Sequence, residues 1–165
     1  MLTAEPLGLS SNYEVRDEEG RRVGDVRLST WFARGEIRAG EVTHRVRRDA
    51  AFFGGIALFG PDGVAAHAVP LRAFSRAFSI RFGDRSFVLR SPAAWFREVR
   101  LLEHDQVIGT AVPEGVWSGR AQFDLPEALP IELRLFVVWL ALLAWRRVGG
   151  SPSFTGAFQV APWRG

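Results

Sequence analysis

The chain has 165 residues, of which 47% are hydrophobic, so it is long enough to form one domain with a sizeable core. It contains no cysteine, which excludes disulfides and thiolate metal sites. Its 21 basic side chains are all arginine, and 18 acidic side chains leave a net charge of only +3, so nucleic acid is not an expected partner.

The N-terminal part of the chain predicts a hairpin and then a basic strand. We expect residues 1–12 to be a flexible lead-in. They lack the basic and apolar regions of a signal peptide, so we expect the protein to be cytoplasmic, with a peripheral position at the membrane as a further possibility. Tyr13–Arg16 alternates between apolar and polar residues, and an acidic turn separates it from a second strand at Val23–Leu28. In the stretch from Gly35 to Asp49, a strand with one basic face is predicted because apolar or aromatic residues alternate with polar ones: Val42, His44 and Val46 with Thr43, Arg45 and Arg47.

Two hairpins follow in the middle of the chain. Gly60-Pro61-Asp62-Gly63 has the composition of a turn between strands at Ile56–Phe59 and Val64–Val69. The next hairpin is aligned by its apolar residues. A two-residue turn at Gly83-Asp84 places them all on one face, whereas a three-residue turn separates them. The predicted pairs are Ile80 with Phe87 and Phe78 with Leu89.

The last predicted strands repeat a pattern seen near the start of the chain. Arg97–Leu102 and Val107–Val112 form a hairpin around His104-Asp105, and a final strand is predicted from Trp117 to Leu125. Like the first hairpin, this one combines a strand, an acidic turn, a β-branched residue and a glycine, Ile108-Gly109 matching Val23-Gly24. A weak internal repeat and ordinary hairpin composition both explain the likeness.

The chain then predicts a hydrophobic helix over residues 130–147, followed by a tail over 149–165. No polar side chain occurs from Leu135 to Trp145, so the helix has no face suited to water. At about 1.5 Å per residue this run is roughly 17 Å long, which is short for a hydrocarbon core of about 30 Å. We therefore expect protein to surround the helix. A closed antiparallel β-barrel covers every face, so the sequence predicts a mainly β fold with the helix as its plug.

Several of these segments together resemble the tubby C-terminal-like superfamily, which is shared by phospholipid scramblases and the LURP-one-related proteins. The likeness rests on the two hairpins, on Asp124-Leu125-Pro126 and Leu129-Pro130 before the helix, and on Phe136, Trp139-Leu140 and Trp145-Arg146-Arg147 within it. The resemblance implies one domain over residues 13–148, with about twelve strands around the central helix. The cysteine-rich and calcium-binding segments of scramblases are missing, and no basic motif matches the phosphoinositide-binding residues of tubby-like domains position by position.

The sequence contains no catalytic motif, so we expect no enzyme activity, no cofactor and no metal site. HExxH, GxSxG, P-loop and GxGxxG patterns do not occur. His44 lies in an alternating strand, which predicts a core position, and His104 at a turn tip is expected to be exposed. Asp17, Glu18 and Glu19 are typical of an acidic turn.

Two groups of arginines are the candidate anion- or lipid-binding residues. Arg45, Arg47 and Arg48 lie in one stretch, and Arg81 and Arg90 lie in another. Guanidinium groups match the geometry of phosphate, which favours an anion site. A solvated arginine face is the alternative.

Three functions remain open on the sequence. The first is a non-enzymatic tubby-like or LURP-one-like binding or scaffold module, whose partner is an anionic membrane lipid held by an external arginine face, or another protein. The second is an enzyme with a site at a barrel end. A deep polar pocket that contains His44 or His67 beside a carboxylate would favour this function. The third is a protein that inserts residues 131–148 into a membrane. The sequence does not specify an oligomeric state.

Overall fold

A computed structural model describes residues 1–8, 11–29, 34–49, 55–71, 77–92, 97–115 and 119–146. These residues form twelve strands and one helix: β1 Leu2–Pro6, β2 Asn12–Arg16, β3 Arg22–Leu28, β4 Gly35–Ala39, β5 Val42–Asp49, β6 Gly55–Gly60, β7 Gly63–Pro70, β8 Phe78–Phe82, β9 Arg85–Arg90, β10 Val99–Glu103, β11 Gln106–Pro113, β12 Ala121–Asp124 and α1 Ile131–Arg146. Each strand is antiparallel to its neighbours, and β1 pairs with both β2 and β12, which closes the sheet. The predicted closed barrel around one buried helix is confirmed.

The barrel has two distinct ends. The hairpin end carries the short turns of the β2–β3, β4–β5, β6–β7, β8–β9 and β10–β11 hairpins. The remaining strand connections lie at the opposite end, the loop end. Helix α1 follows β12 and therefore starts at the hairpin end. It finishes at the loop end, where the Trp145 indole donates to the Arg97 carbonyl at 2.7 Å and Arg146 donates to the Ser11 hydroxyl at 3.1 Å.

The barrel wall encloses the helix on every side. All residues from Leu135 to Ala141 have 0% exposure, and consecutive helical residues point in every direction. Alternate residues of the strands supply the surrounding apolar layer. The wall approaches the helix closely at Gly24 on β3, where an added Cβ would lie 2.7 Å from Leu135 Cδ1. The closed sheet therefore buries the apolar helix, which would otherwise need a lipid bilayer around it.

The barrel consists of three repeated units. The hairpins β2–β3, β6–β7 and β10–β11 share a bulge that begins after Val15, Leu58 and Leu101. Leu101 lies as far after Leu58 in the chain as Leu58 lies after Val15. The correspondence continues through the next pairs of inward-facing residues, Val26–Ile37, Ala68–Ile80 and Ala111–Phe123. Two units are therefore β2–β5 and β6–β9, and the third is β10–β12 completed by β1 from the other end of the chain.

Several sequence predictions are confirmed at the level of register. Ile80 pairs with Phe87 and Phe78 pairs with Leu89, as the two-residue turn requires. The likeness between the first and last hairpins belongs to the threefold repeat, of which the β6–β7 hairpin is a third member that the sequence analysis missed.

Three predicted boundaries need correction. The predicted flexible lead-in over residues 1–12 contains strand β1, in which Leu2 and Ala4 are buried, and β2 begins at Asn12. The stretch from Gly35 to Asp49 holds two strands, separated by a turn at Gly40-Glu41 where Gly40 has φ +59°. The last strand is only Ala121–Asp124. Residues 116–118, 147–148 and the predicted tail 149–165 lie outside the described residues.

Candidate functional site

An open groove of about 1020 Å³ lies toward the loop end of the barrel, where it is bordered by residues of β2 to β6. We call it the arginine groove, because the described residues that line it include Arg27, Arg34, Arg45, Arg47 and Arg48. The acidic side chains in this lining are Glu36 and Asp49. The groove is therefore a strongly cationic part of a protein whose total charge is close to balanced.

The strand register explains why these arginines converge. Arg27 of β3, Glu36 of β4 and Arg45 of β5 are direct cross-strand neighbours on the outer face. Arg47 follows on the same face of β5, because alternate residues of a strand share a face. Arg48 lies opposite Ile56 in an inward register position, but it is exposed near the loop-end rim of the wall. The groove thus extends from the outer wall to the rim.

Most of the groove arginines have no acidic partner among the residues that the structure describes. Among the described residues, no carboxylate oxygen lies within 4.0 Å of Arg27, Arg45, Arg47 or Arg48. The Arg47 guanidinium instead lies over the ring of Phe59, with Cζ 4.1 Å from the ring centroid, and this contact holds one wall of the groove. These guanidinium groups are therefore available to an anion.

Arginines at the hairpin end are arranged differently. Arg85 donates two hydrogen bonds to Glu103, at 2.8 and 2.9 Å, and these are the main reason that the pKa of Glu103 is lowered and that of Arg85 is raised. Partial desolvation raises the pKa of Asp17, but backbone and side-chain hydrogen bonds from Arg21 outweigh it and lower that pKa overall. The hairpin end therefore neutralises these charges internally, as expected for an acidic turn.

The threefold repeat provides an internal comparison for the groove. The row Arg27–Glu36–Arg45 in the first unit corresponds to Val69–Ser79–Val88 in the second and to Val112–Gln122–Thr3 in the third. The same backbone framework carries charged side chains in only one of the three units. The arginines are therefore not a requirement of the barrel itself.

A histidine–carboxylate pair adjoins the groove. His67 Nε2 of β7 lies 3.2 Å from Oδ2 of Asp49, which belongs to β5 and lines the groove. The pair spans β6 at Gly55 and Ala57, which lie opposite Asp49 and His67 respectively. Both intervening residues are small, so the two polar side chains can meet across the strand between them.

The structure separates the two predicted arginine groups. Arg45, Arg47 and Arg48 line the groove together. Arg81 lies on β8 opposite His67 and Ser86, and Arg90 lies on β9 opposite Arg100. Strands β6 and β7 separate this second group from β5. Whether either group binds an anion stays a prediction.

Sequence analysis missed other lining residues, notably Arg27, Arg34 and Asp49. Arg27 and Arg45 are far apart in sequence, and β4, which pairs with both of their strands, was not recognised. Identifying β4 would have provided the missing signal, because it places Arg27, Glu36 and Arg45 in one row.

The three histidines lie in different parts of the barrel. No group of three or more His, Cys, Asp or Glu side chains suited to a metal occurs among the searched residues of the described ranges. His44 is buried at 7% exposure, as predicted, and its Nδ1 has no hydrogen-bond partner there. His104 is exposed at its turn. His67 beside Asp49 matches part of the arrangement expected of a barrel-end enzyme, but it lies on the outer wall, and enzyme activity stays untested.

No family model, curated protein or solved structure matches this chain. The resemblance to tubby-like proteins is therefore neither supported nor opposed by these comparisons. Within the described ranges, every helix is too short or too polar to cross a membrane.

Proposed function

We propose that this protein is a non-enzymatic binding module that holds anionic lipid headgroups in the arginine groove. The observation that carries the proposal is the concentration in one groove of Arg27, Arg45, Arg47 and Arg48, none with a carboxylate partner among the described residues. Guanidinium groups present paired N–H donors that match two phosphate oxygens at once. A bound anion would give these guanidinium groups the negatively charged partner that the described residues do not provide.

Two features favour a lipid surface over a free phosphate ester. The groove is open toward the outside of the barrel, so a headgroup can reach it while its acyl chains stay in the bilayer. Leu7 and Leu71, which are 48% and 50% exposed, lie at the same end of the barrel. Leu7 is held beside the groove, because its backbone N–H donates to the carbonyl of the lining residue Asn12 at 2.9 Å. An exposed apolar side chain beside a cationic site, with another at the same end of the barrel, suits a membrane periphery.

We also propose that the chain is related to the tubby-like and LURP-one-related proteins. What supports this relationship is the architecture, a closed barrel of twelve antiparallel strands around a C-terminal hydrophobic helix. The groove residues enter the proposal through their own chemistry, because no basic motif of the superfamily matches them by position.

Vesicle flotation tests the lipid proposal. Wild-type protein should float with phosphatidylcholine vesicles that contain phosphatidylglycerol or a phosphoinositide, and should stay unbound with phosphatidylcholine alone. The double variant Arg45→Gln/Arg48→Gln removes two groove charges, and we expect at least about a tenfold loss of vesicle affinity, since each phosphate contact contributes on the order of 1 kcal/mol at a membrane surface.

The matched control is Arg81→Gln/Arg90→Gln, which lowers the net charge equally on another part of the wall. It should retain most of the vesicle affinity. Equal losses in the two double variants would mean that net charge alone attracts the protein, and equal recovery with neutral and anionic vesicles would refute lipid binding. Soluble inositol phosphate serves as a further arm: if it competes but anionic vesicles do not bind, the ligand is a free phosphate ester.

A further inference from the structure

The His67–Asp49 pair connects a titratable side chain to the lining of the arginine groove. Asp49 contributes its negative charge to the groove, and its Oδ2 lies 3.2 Å from His67 Nε2. Both side chains are mostly shielded, with 26% exposure for His67 and 21% for Asp49. A change in the charge of His67 therefore changes the electrostatic potential at Asp49 and in the adjoining groove.

The charged groups around His67 come from the neighbouring strands. Arg47 faces it from β5 across Ala57 of β6, Asp49 of β5 reaches it diagonally from its position opposite Gly55, and Arg81 lies directly opposite it on β8. Among the described residues of these strands, Asp49 is the acidic neighbour, so its carboxylate is the natural partner of a protonated imidazole.

We infer that protonation of His67 strengthens anion binding in the arginine groove by neutralising Asp49. The inference rests on the proposed function and adds regulation by pH to it. When His67 is neutral, the Asp49 carboxylate opposes a bound anion. When His67 is protonated, the pair carries no net charge, so less negative charge opposes an anion bound by the arginines. Because binding linkage is reciprocal, a bound anion must also favour the protonated form of His67.

The expected effect is moderate in size and definite in direction. Neutralising one unit charge beside a partly solvated site changes affinity by about three- to tenfold. Histidine side chains ordinarily change charge between about pH 5 and 8. Anion affinity should therefore rise by about three- to tenfold as the pH falls across this range.

Phosphatidylglycerol vesicles are the suitable probe, because a phosphodiester keeps its single charge throughout this pH range. The wild-type vesicle affinity should increase on acidification. His67→Gln should bind at all pH values as the wild type does at the alkaline end. Asp49→Asn removes the negative charge permanently, so it should bind at the alkaline end as tightly as the wild type does at the acidic end. The opposite signs of these two variants are specific to the pair, because simple damage to the fold would weaken both.

The control variant is His104→Asn at the hairpin end, where asparagine tolerates the left-handed backbone at φ 49°. It should retain the wild-type pH dependence. Proton uptake on vesicle binding in weakly buffered solution provides a second measurement, and it should disappear in His67→Gln. Binding that is the same at all pH values, or a pH dependence that persists in His67→Gln, would overturn the inference alone. Absence of vesicle binding at every pH would overturn the proposed function together with it.

Discussion

Gly35 is the residue at which the helix and the wall are most closely fitted. The indole of Trp139 lies close to Gly35 of β4 and donates from Nε1 to the Arg27 carbonyl at 3.0 Å. A Cβ at position 35 would collide with both Trp139 Nε1 and the Arg27 carbonyl oxygen. We expect Gly35→Ala to lower the free energy of unfolding by about 1–3 kcal/mol, because an overpacked core must shift its backbone or its rotamers. Urea denaturation followed by tryptophan fluorescence measures the change.

The comparison for Gly35→Ala is Gly40→Asn in the β4–β5 turn. An added Cβ meets nothing within 4 Å there, and asparagine tolerates the positive φ of +59°. Its effect should stay within about 0.5 kcal/mol, as for most surface substitutions. Similar losses in both variants would mean that general glycine replacement, and not the contact with Trp139, sets the cost.

Single residues also show where sequence analysis reaches its limit. The inward position of His44 follows from its alternation with arginines along β5. Its unpartnered Nδ1 does not, because hydrogen bonding inside the barrel depends on which strands and helix positions surround it. The contact between His67 and Asp49 is likewise not visible in the sequence, because it depends on the position of β6 between their two strands.

At the scale of the element, enclosure of the helix predicts that truncating a side chain on either side of it is costly, whereas an amphipathic helix would tolerate truncation on its exposed side. Leu133 and Leu135 point about 200° apart around the axis, yet their exposures are 1% and 0%. Leu133→Ala and Leu135→Ala should each lower the free energy of unfolding by about 2–5 kcal/mol, the usual cost of a buried leucine truncation. Leu143→Ala, at a partly buried position near the loop end, should cost clearly less. If one of the first two substitutions proves nearly neutral, that side of the helix is not enclosed.

The strands differ in how strongly the sequence specifies them. The β8–β9 register was predictable because a shift of one residue would move Phe78, Ile80, Phe87 and Leu89 out of the core together. In contrast, β4 carries only one large apolar residue, Ile37, and β1 has a short alternation at Leu2 and Ala4. Such patterns are too brief to distinguish a strand from a loop until partners on both sides are known.

At the scale of the whole molecule, the threefold repeat explains why the architecture was easier to predict than the site. The barrel follows from features that all three units share, namely alternating inward apolar residues and short turns. The groove follows from a difference between units, because Arg27 and Arg45 stand where the other units have Val69, Val88, Val112 and Thr3. Local sequence located Arg45, Arg47 and Arg48, but Arg27 joins them only through the pairing of β3 and β5 with β4.

Closure of the barrel depends on β1, which enters the third unit from the opposite end of the chain. Thr3 and Ala4 pair with both β2 and β12, Glu5 contacts Arg120 at 2.9 Å, and the Met1 ammonium contacts Glu18 at 2.7 Å. A chain lacking residues 1–8 would expose two unpaired strand edges, which are templates for association. We expect this truncated chain to unfold at a lower temperature and to form oligomers in size-exclusion chromatography. A peptide of residues 1–8 should restore the monomer and its thermal stability, whereas a peptide of the same composition in scrambled order should not. A truncated chain that stays monomeric and as stable as the wild type would show that three strands suffice for the third unit.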